Sequence, residues 1–312
     1  MLSRRLLRIK TVKALYSHFK SETETMVASE KNLLNAIDKT YQLYHQMLYL
    51  IVDVKRYGES RLELAKQKHL ATKEDLNPNT RFIDNPVIDL IEQSTDLNAF
   101  MTRFALGWAK YPEMIKIIYD ALIESDFYKD YMNLEKSTFK QDLKFVSNFY
   151  IKLIEDNPEI ERVVEEQSIL WMDDIDFSLI MVIRTLESIK AGDEEIKLLD
   201  KFKNDDDREF VVELFRKTLV NYKSSLDYVE RFTKNWDVDR IAFMDILVMV
   251  TSVTEFVTFP TIPVKVTMNE YIEIAKYYST TESNLFINGV LDKIITELKS
   301  ENKLNKIGTG LL

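Results

Sequence analysis

The sequence predicts an all-α protein, a helical bundle, and three observations carry that expectation. The 312 residues include only six glycines and six prolines, too few turn residues for a sheet protein of this size. Apolar residues recur at i, i+3, i+4 and i+7 spacing along much of the chain. Cap-forming residues stand in front of several of these periodic stretches. The hydrophobic content of 46% is ample for a buried core and argues against disorder.

Residues 3–20 read as one helix, with Ser3 as its cap and Leu6, Leu7, Ile9, Val12, Leu15, Tyr16 and Phe19 on a broad apolar face. Arg4, Arg5 and Arg8 are expected on its exposed first turns at i, i+3 and i+4 spacing. Cations there oppose the helix dipole at a cost of roughly a few tenths of a kcal/mol each, which an expected anion would offset. Residues 29–57 predict a long amphipathic helix with Leu33, Leu34, Ile37, Tyr41, Tyr44, Leu48, Ile51 and Val54 on one stripe. Such an aromatic stripe could stack bases, but its helical spacing favours core packing. The helix continues, heavily charged, over 59–75. Residues 77–86 form a loop between Pro78 and Pro86. Helices follow at 86–107, 111–130, 134–156 and 159–170.

Trp171-Met172-Asp173-Asp174-Ile175-Asp176 lacks the spacing and the glycine of a calcium loop, so Asp173 or Asp174 is expected to cap a helix at 176–190. Ala191-Gly192 ends that helix. Asp205-Asp206-Asp207 reads as a solvated helix start, followed by amphipathic helices at 207–222 and 223–235. The stretch Val238–Val257 is apolar on nearly every side, the mark of a central buried helix, interrupted by Asp245 and Glu255. Ten residues separate them, about 15 Å along the axis, too far to work on one bond. Pairing with Arg240 or a backbone end is expected instead.

Residues 259–298 read as a loop, a helix, a short link and a second helix. Thr267-Met268-Asn269-Glu270 and Ser279-Thr280-Thr281-Glu282 both have the form of capping boxes. Gly289 lies inside the last helix, which implies that another backbone passes close by.

Chemistry is bounded by absences in the sequence. With no cysteine there is no disulfide, thiolate metal site or cysteine nucleophile. No phosphate-binding glycine loop, His-Glu-x-x-His or glycine-flanked serine occurs. His18, His45 and His69 stand on separate helical stretches without ligand spacing. No catalytic residue, metal or cofactor is assigned, and no enzyme is expected. No apolar run approaches the length of a membrane span, no secretory signal is expected, and a cytoplasmic location fits. The net charge of −9 disfavours nucleic acid, but residues 1–20 carry six cations (Arg4, Arg5, Arg8, Lys10, Lys13 and Lys20) and no acid, which leaves −15 on the other 292 residues. That asymmetry points to a local basic strip.

The residues carry more than physics alone gives. IPVKVTMNEYIEIAKYY followed by ESNLFINGVLDKI closely resembles the C-terminal signature of the NusB family of bacterial transcription antitermination factors. The matching residues are Pro263, Val264, Asn269, Glu270, Ala275, Lys276, Ser283, Phe286, Asn288, Gly289, Val290, Leu291 and Asp292. The arginine-rich start leading into Ala14-Leu15-Tyr16 is similar to that family's N-terminal element, and Arg240-Ile241, Asp245 and Glu255 extend the likeness back from the C-terminal signature. The resemblance covers 1–20 and 205–299. It implies a NusB-like bundle with an enlarged helical N-terminal subdomain: 1–204, containing the basic helix and a middle region without recognised motif, then 205–300, then a tail at 301–312. It further implies binding of single-stranded boxA-like RNA together with NusE, a small-subunit ribosomal protein, within the transcription elongation complex during ribosomal RNA synthesis. By resemblance Arg4, Arg5 and Arg8 become phosphate-contact candidates, and Ser283, Phe286 and Lys276 become RNA neighbours. Phe286 reads equally well as core. NusB-like domains also precede certain ribosomal RNA cytosine methyltransferases, but the lack of cysteine excludes that chemistry here. The alternative is a non-catalytic helical scaffold whose acidic middle binds a basic protein.

Overall fold

The computed structural model describes residues 1–21, 23–233, 241–280 and 282–307. Among them every regular element is helical. The helices are α1 (Arg4–Lys20), α2 (Met26–Lys66), α3 (Lys73–Leu76), α4 (Pro86–Gln93), α5 (Thr95–Arg103), α6 (Pro112–Glu124), α7 (Asp126–Met132), α8 (Phe139–Phe149), α9 (Pro158–Gln167), α10 (Ile175–Ser188), α11 (Asp205–Val220), α12 (Tyr222–Thr233), α13 (Phe243–Thr258), α14 (Val264–Tyr278) and α15 (Ser283–Ser300). A π turn (Tyr150–Ile154) extends α8 and a 3₁₀ turn (Ile169–Trp171) follows α9. The stretch expected as one helix over 86–107 is two, because Ser94 ends α4 and its hydroxyl caps α5. No helix of the described residues is long and apolar enough to cross a membrane.

The chain forms two compact units, Met1–Leu2 with Asp38–Lys201, and Ser3–Ile37 with Phe202–Leu312. Residues 3–37, with the basic first helix, therefore group with the C-terminal helices and not with the middle region.

The middle unit is built on the second part of α2, where Leu43 to Val52 are buried on every side. Large side chains dock their polar tips on its backbone. Trp108 Nε1 donates to the Gln46 carbonyl at 2.9 Å, Tyr150 Oη to that of Leu48 at 2.8 Å, and Trp171 Nε1 to that of Lys39 at 2.7 Å. Each ring is buried without leaving its donor unpaired, the condition for placing Trp or Tyr in a core. Gly58 on α2 has a specific reason: a Cβ there would meet the Tyr119 ring at 2.9 Å. Asp174 stands at the N-cap of α10 as expected, but makes no cap bond; its carboxylate accepts from the Thr40 hydroxyl at 2.5 Å.

His45 in the same unit is 1% exposed and stacks on Phe100 at 3.7 Å, with Nδ1 against the Tyr41 carbonyl at 2.7 Å. Burial lowers its pKa to about 4, against a partial counter-effect of that carbonyl. The unfolded chain then binds one more proton than the folded chain between about pH 4 and pH 6.5. Stability is full above about pH 6.5 and falls by roughly 3 kcal/mol as the pH drops to about 4. Denaturant midpoints across this range, compared between the wild type and His45→Asn, are expected to show a shallower slope in the variant.

In the C-terminal unit α13 is the axis. It contacts α1, α11, α12, α14 and α15, and Leu247 to Phe256 are all buried. Thr251, Ser252 and Thr254 return their hydroxyls to carbonyls one turn back, so the polar positions add no unpaired group. The expected span from Val238 begins at Phe243; Val238 and Arg240 lie outside the described residues. Side-chain pairs fix the directions. Arg5 meets Glu270 and Lys13 meets Tyr278, so α1 and α14 run parallel. Arg8 meets Glu255 and Tyr16 meets Phe243, so α13 runs against them.

The two capping boxes do not form. Helix α14 begins at Val264, directly after Pro263, and Thr267 is buried within it. The Thr267 hydroxyl donates to Glu255 at 2.8 Å, and Glu270 holds Arg5. Helix α15 begins at Ser283 with no side-chain cap, and Ser279 donates to Asp245; Thr281 lies outside the described residues. Among the described residues nothing approaches Gly289 within 4 Å of a built Cβ, and the residue is exposed, so the expected close backbone is not found among them. Gly289→Ala is expected to stabilise the protein by about 1 kcal/mol, measured as a higher denaturant midpoint.

Candidate nucleic-acid interface

The six positions singled out in the sequence separate into surface and core. Arg8 is 2% exposed. Its guanidinium grips Glu255, itself 0% exposed, through Nε at 2.8 Å and Nη2 at 2.7 Å. The carboxylate also accepts from Thr267 at 2.8 Å and Tyr271 at 3.0 Å. Burial works against the Arg8 cation, but the hydrogen bond and charge of Glu255 outweigh it and its pKa is raised. The same burial, with the Glu255 charge, pushes the Tyr271 phenol up. Arg8 is thus a partner of Glu255; the expected pairing with Arg240 falls outside the described residues. Arg8 lies off the exposed turn on which the local spacing put it, with both ends of its fork already engaged. Ser283 is also a core residue, 3% exposed, donating to Asp245 at 2.7 Å.

Arg4 and Arg5 remain at the surface, with side chains 40% and 44% exposed. Arg4 pairs with Asp207 at 2.7 Å and lies over the Phe210 ring. Asp207 is consequently buried, unlike the solvated acid expected there, and Asn204 caps α11. Arg5 forks onto Glu270 at 2.8 and 3.1 Å. The exposed Arg5–Glu270 pair contributes only about 0–1 kcal/mol, so a phosphate can replace Glu270 at little cost, whereas Arg4 also serves the buried Asp207. Lys276 is exposed and pairs with Glu273. Phe286 is half-buried.

A second group forms at the far end of α1, about 20 Å from Arg4 at 1.5 Å per residue. Lys13 lies 5.5 Å from the Tyr278 ring, and Lys20 lies 4.7 Å from Phe243. Tyr16 is 38% exposed with its ring 5.7 Å from Phe243, and the Phe19 and Tyr222 rings meet tilted with centroids 4.3 Å apart. Asp245 holds this end together: through Ser279 and Ser283 it ties the start of α13 to the end of α14 and the start of α15. Phe243 and Tyr278 are thereby drawn toward the Lys13–Lys20 half of α1. Cations interleaved with partly exposed rings suit the two faces of a single-stranded nucleic acid, its phosphates and its bases. The lysines are visible in the sequence as charge, and Tyr16 as a ring four residues before Lys20; Phe243 and Tyr278 sit more than 200 residues away and gave no local signal.

Residues 178–296 match the NusB family. A transcription antitermination protein NusB of Salinibacter ruber is 41% identical over 105 residues, which are 34% of this chain and 66% of the relative. That of Chloroherpeton thalassium is 34% identical over 105 residues, 34% of this chain and 50% of the relative. That of Natranaerobius thermophilus is 31% identical over 90 residues, 29% of this chain and 65% of the relative. The chain thus spans somewhat under two thirds of these relatives' lengths. No solved structure matches it.

Proposed function

We propose, from the premise that this chain carries a NusB-family domain at residues 178–296, that it is a non-catalytic transcription antitermination factor. In this reading it binds single-stranded boxA-like RNA together with NusE and enters the elongation complex on ribosomal RNA operons in the cytoplasm. The observation that carries the reading is the gathering of Lys13, Tyr16 and Lys20 with Phe243 and Tyr278 at one end of the C-terminal unit. Unstacked bases rest on such rings at about 1–3 kcal/mol each, while Lys13, Lys20, Arg4 and Arg5 meet phosphates. Phe286 and Lys276 border this end. Arg8 and Ser283 support it from within, by fixing α1 and α15 to α13. With few free cations on an acidic chain, RNA alone binds weakly and NusE supplies the remaining surface.

Fluorescence anisotropy with labelled boxA-like and scrambled single strands, with and without NusE, tests this. Selective binding strengthened by NusE is the expected result. Equal, weak binding of both strands in every combination would refute the reading.

A further inference from the structure

The middle unit presents a surface with a different chemistry. Residues 38–201 carry 21 Lys and Arg against 31 Asp and Glu, a net −10, while the rest of the chain carries +1. The acids concentrate at 155–176, nine against the single cation Arg162, which is held by Glu159 and Glu166. In the middle of this acidic stretch the chain runs Ile169-Leu170-Trp171-Met172. Only Trp171 turns inward, pinned to the Lys39 carbonyl, at 3% exposure. Ile169 is 78% exposed, Met172 47% and Leu170 38%, and Ile180 on α10 is 49% exposed.

Burying the tryptophan of a short turn forces its neighbours outward, and polar residues would serve there at no cost to the peg. Three consecutive-region apolar side chains held in solvent mark an interaction patch. The surrounding charge decides the partner. Glu165 on α9 and Asp176 on α10 flank the patch, both exposed and with no ion-pair partner among the described residues. An anionic polymer or an anionic membrane is repelled by this field. A second copy of this chain, itself of net charge −9, is a poor fit to an acidic patch.

We infer that the turn at Ile169–Met172 is a docking surface for a basic amphipathic segment of another protein. That segment sets apolar side chains on Ile169 and Met172 and aims lysines or arginines at Glu165 and Asp176. Burial of the apolar anchors supplies affinity, and the flanking charges supply encounter rate and selectivity. This inference does not depend on the RNA reading.

The test uses the full chain and two labelled helical peptides of identical pattern, one Leu/Lys and one Leu/Glu, followed by fluorescence anisotropy. The Leu/Lys peptide is expected to bind and the Leu/Glu peptide is not. Ile169→Ser with Met172→Ser should weaken binding at least tenfold, with an unchanged melting temperature. Ile117→Ser, an exposed apolar residue of α6, should leave it unchanged. Glu165→Lys with Asp176→Lys, at exposed positions that carry no packing, should also weaken it and flatten its salt dependence. Wild-type affinity in both double variants, or equal binding of the two peptides, would overturn the inference. So would sedimentation showing a dimer that the Ile169/Met172 variant abolishes, which would assign the patch to a second copy.

Discussion

Replacing Arg8 by alanine is expected to destabilise the protein by about 3–5 kcal/mol, the cost of stranding one member of a buried ion pair. Glu255 would keep its bonds from Thr267 and Tyr271 but lose the Arg8 guanidinium, in a site where neither side chain reaches solvent. Arg8→Lys retains the charge without the fork and should fall between. Combining Arg8→Met with Glu255→Gln should recover part of the loss, because a neutral amide still accepts from Thr267 and carries no charge to strand. Urea midpoints for the four proteins measure this. The folded fraction of Arg8→Ala should bind RNA as the wild type does. Wild-type stability together with lost RNA binding would mean that Arg8 leaves Glu255 to meet the ligand.

The reversal Arg4→Glu with Arg5→Glu has the opposite profile. The Arg5–Glu270 pair is surface-exposed, so reversal there should change stability by no more than about 1 kcal/mol, whereas Arg4→Glu sets a second carboxylate against the buried Asp207 and should cost more. RNA affinity, by contrast, should fall more than about tenfold. Each phosphate contact on a single strand contributes about 0.7 to the slope of log affinity against log salt. Losing two should reduce that slope by about 1.4. Arg4→Gln with Arg5→Gln should reproduce the slope change with a smaller loss of affinity, since repulsion is absent. Titrations at several salt concentrations separate the two terms. An unchanged slope would remove Arg4 and Arg5 from the interface.

These two predictions show where sequence reading succeeds and where it stops. The central place of α13 is legible because its residues are apolar on all sides, and only an interior position stabilises such a helix. The end of α1 at Lys20, its cap at Ser3 and the breaks near Pro86, Pro112 and Pro158 are likewise local facts. Arg8 is not local. Its spacing from Arg4 and Arg5 suggested a shared exposed turn, whereas its fate was decided by Glu255, 247 residues away. A signal was present all the same: one arginine within an apolar run and one glutamate within another each need an opposite charge once buried. The capping boxes failed for a related reason. Pro263 already starts α14, which frees Thr267 for Glu255 and Glu270 for Arg5. Gly289 was read as a close approach, but its surroundings are open, and only coordinates distinguish the two cases. In the candidate interface the cations of α1 are legible, while Phe243 and Tyr278 become their neighbours only through the packing of α13 and α14.

The most direct test of where RNA binds is photo-crosslinking of a 4-thiouridine-substituted boxA-like strand to the full chain with NusE, followed by mapping of the crosslinked peptides. The account predicts crosslinks to Tyr16, Phe243, Tyr278 and their flanking residues, reduced by Arg4→Glu with Arg5→Glu. Crosslinks confined to residues 38–201 would contradict it and would place the RNA on the middle unit.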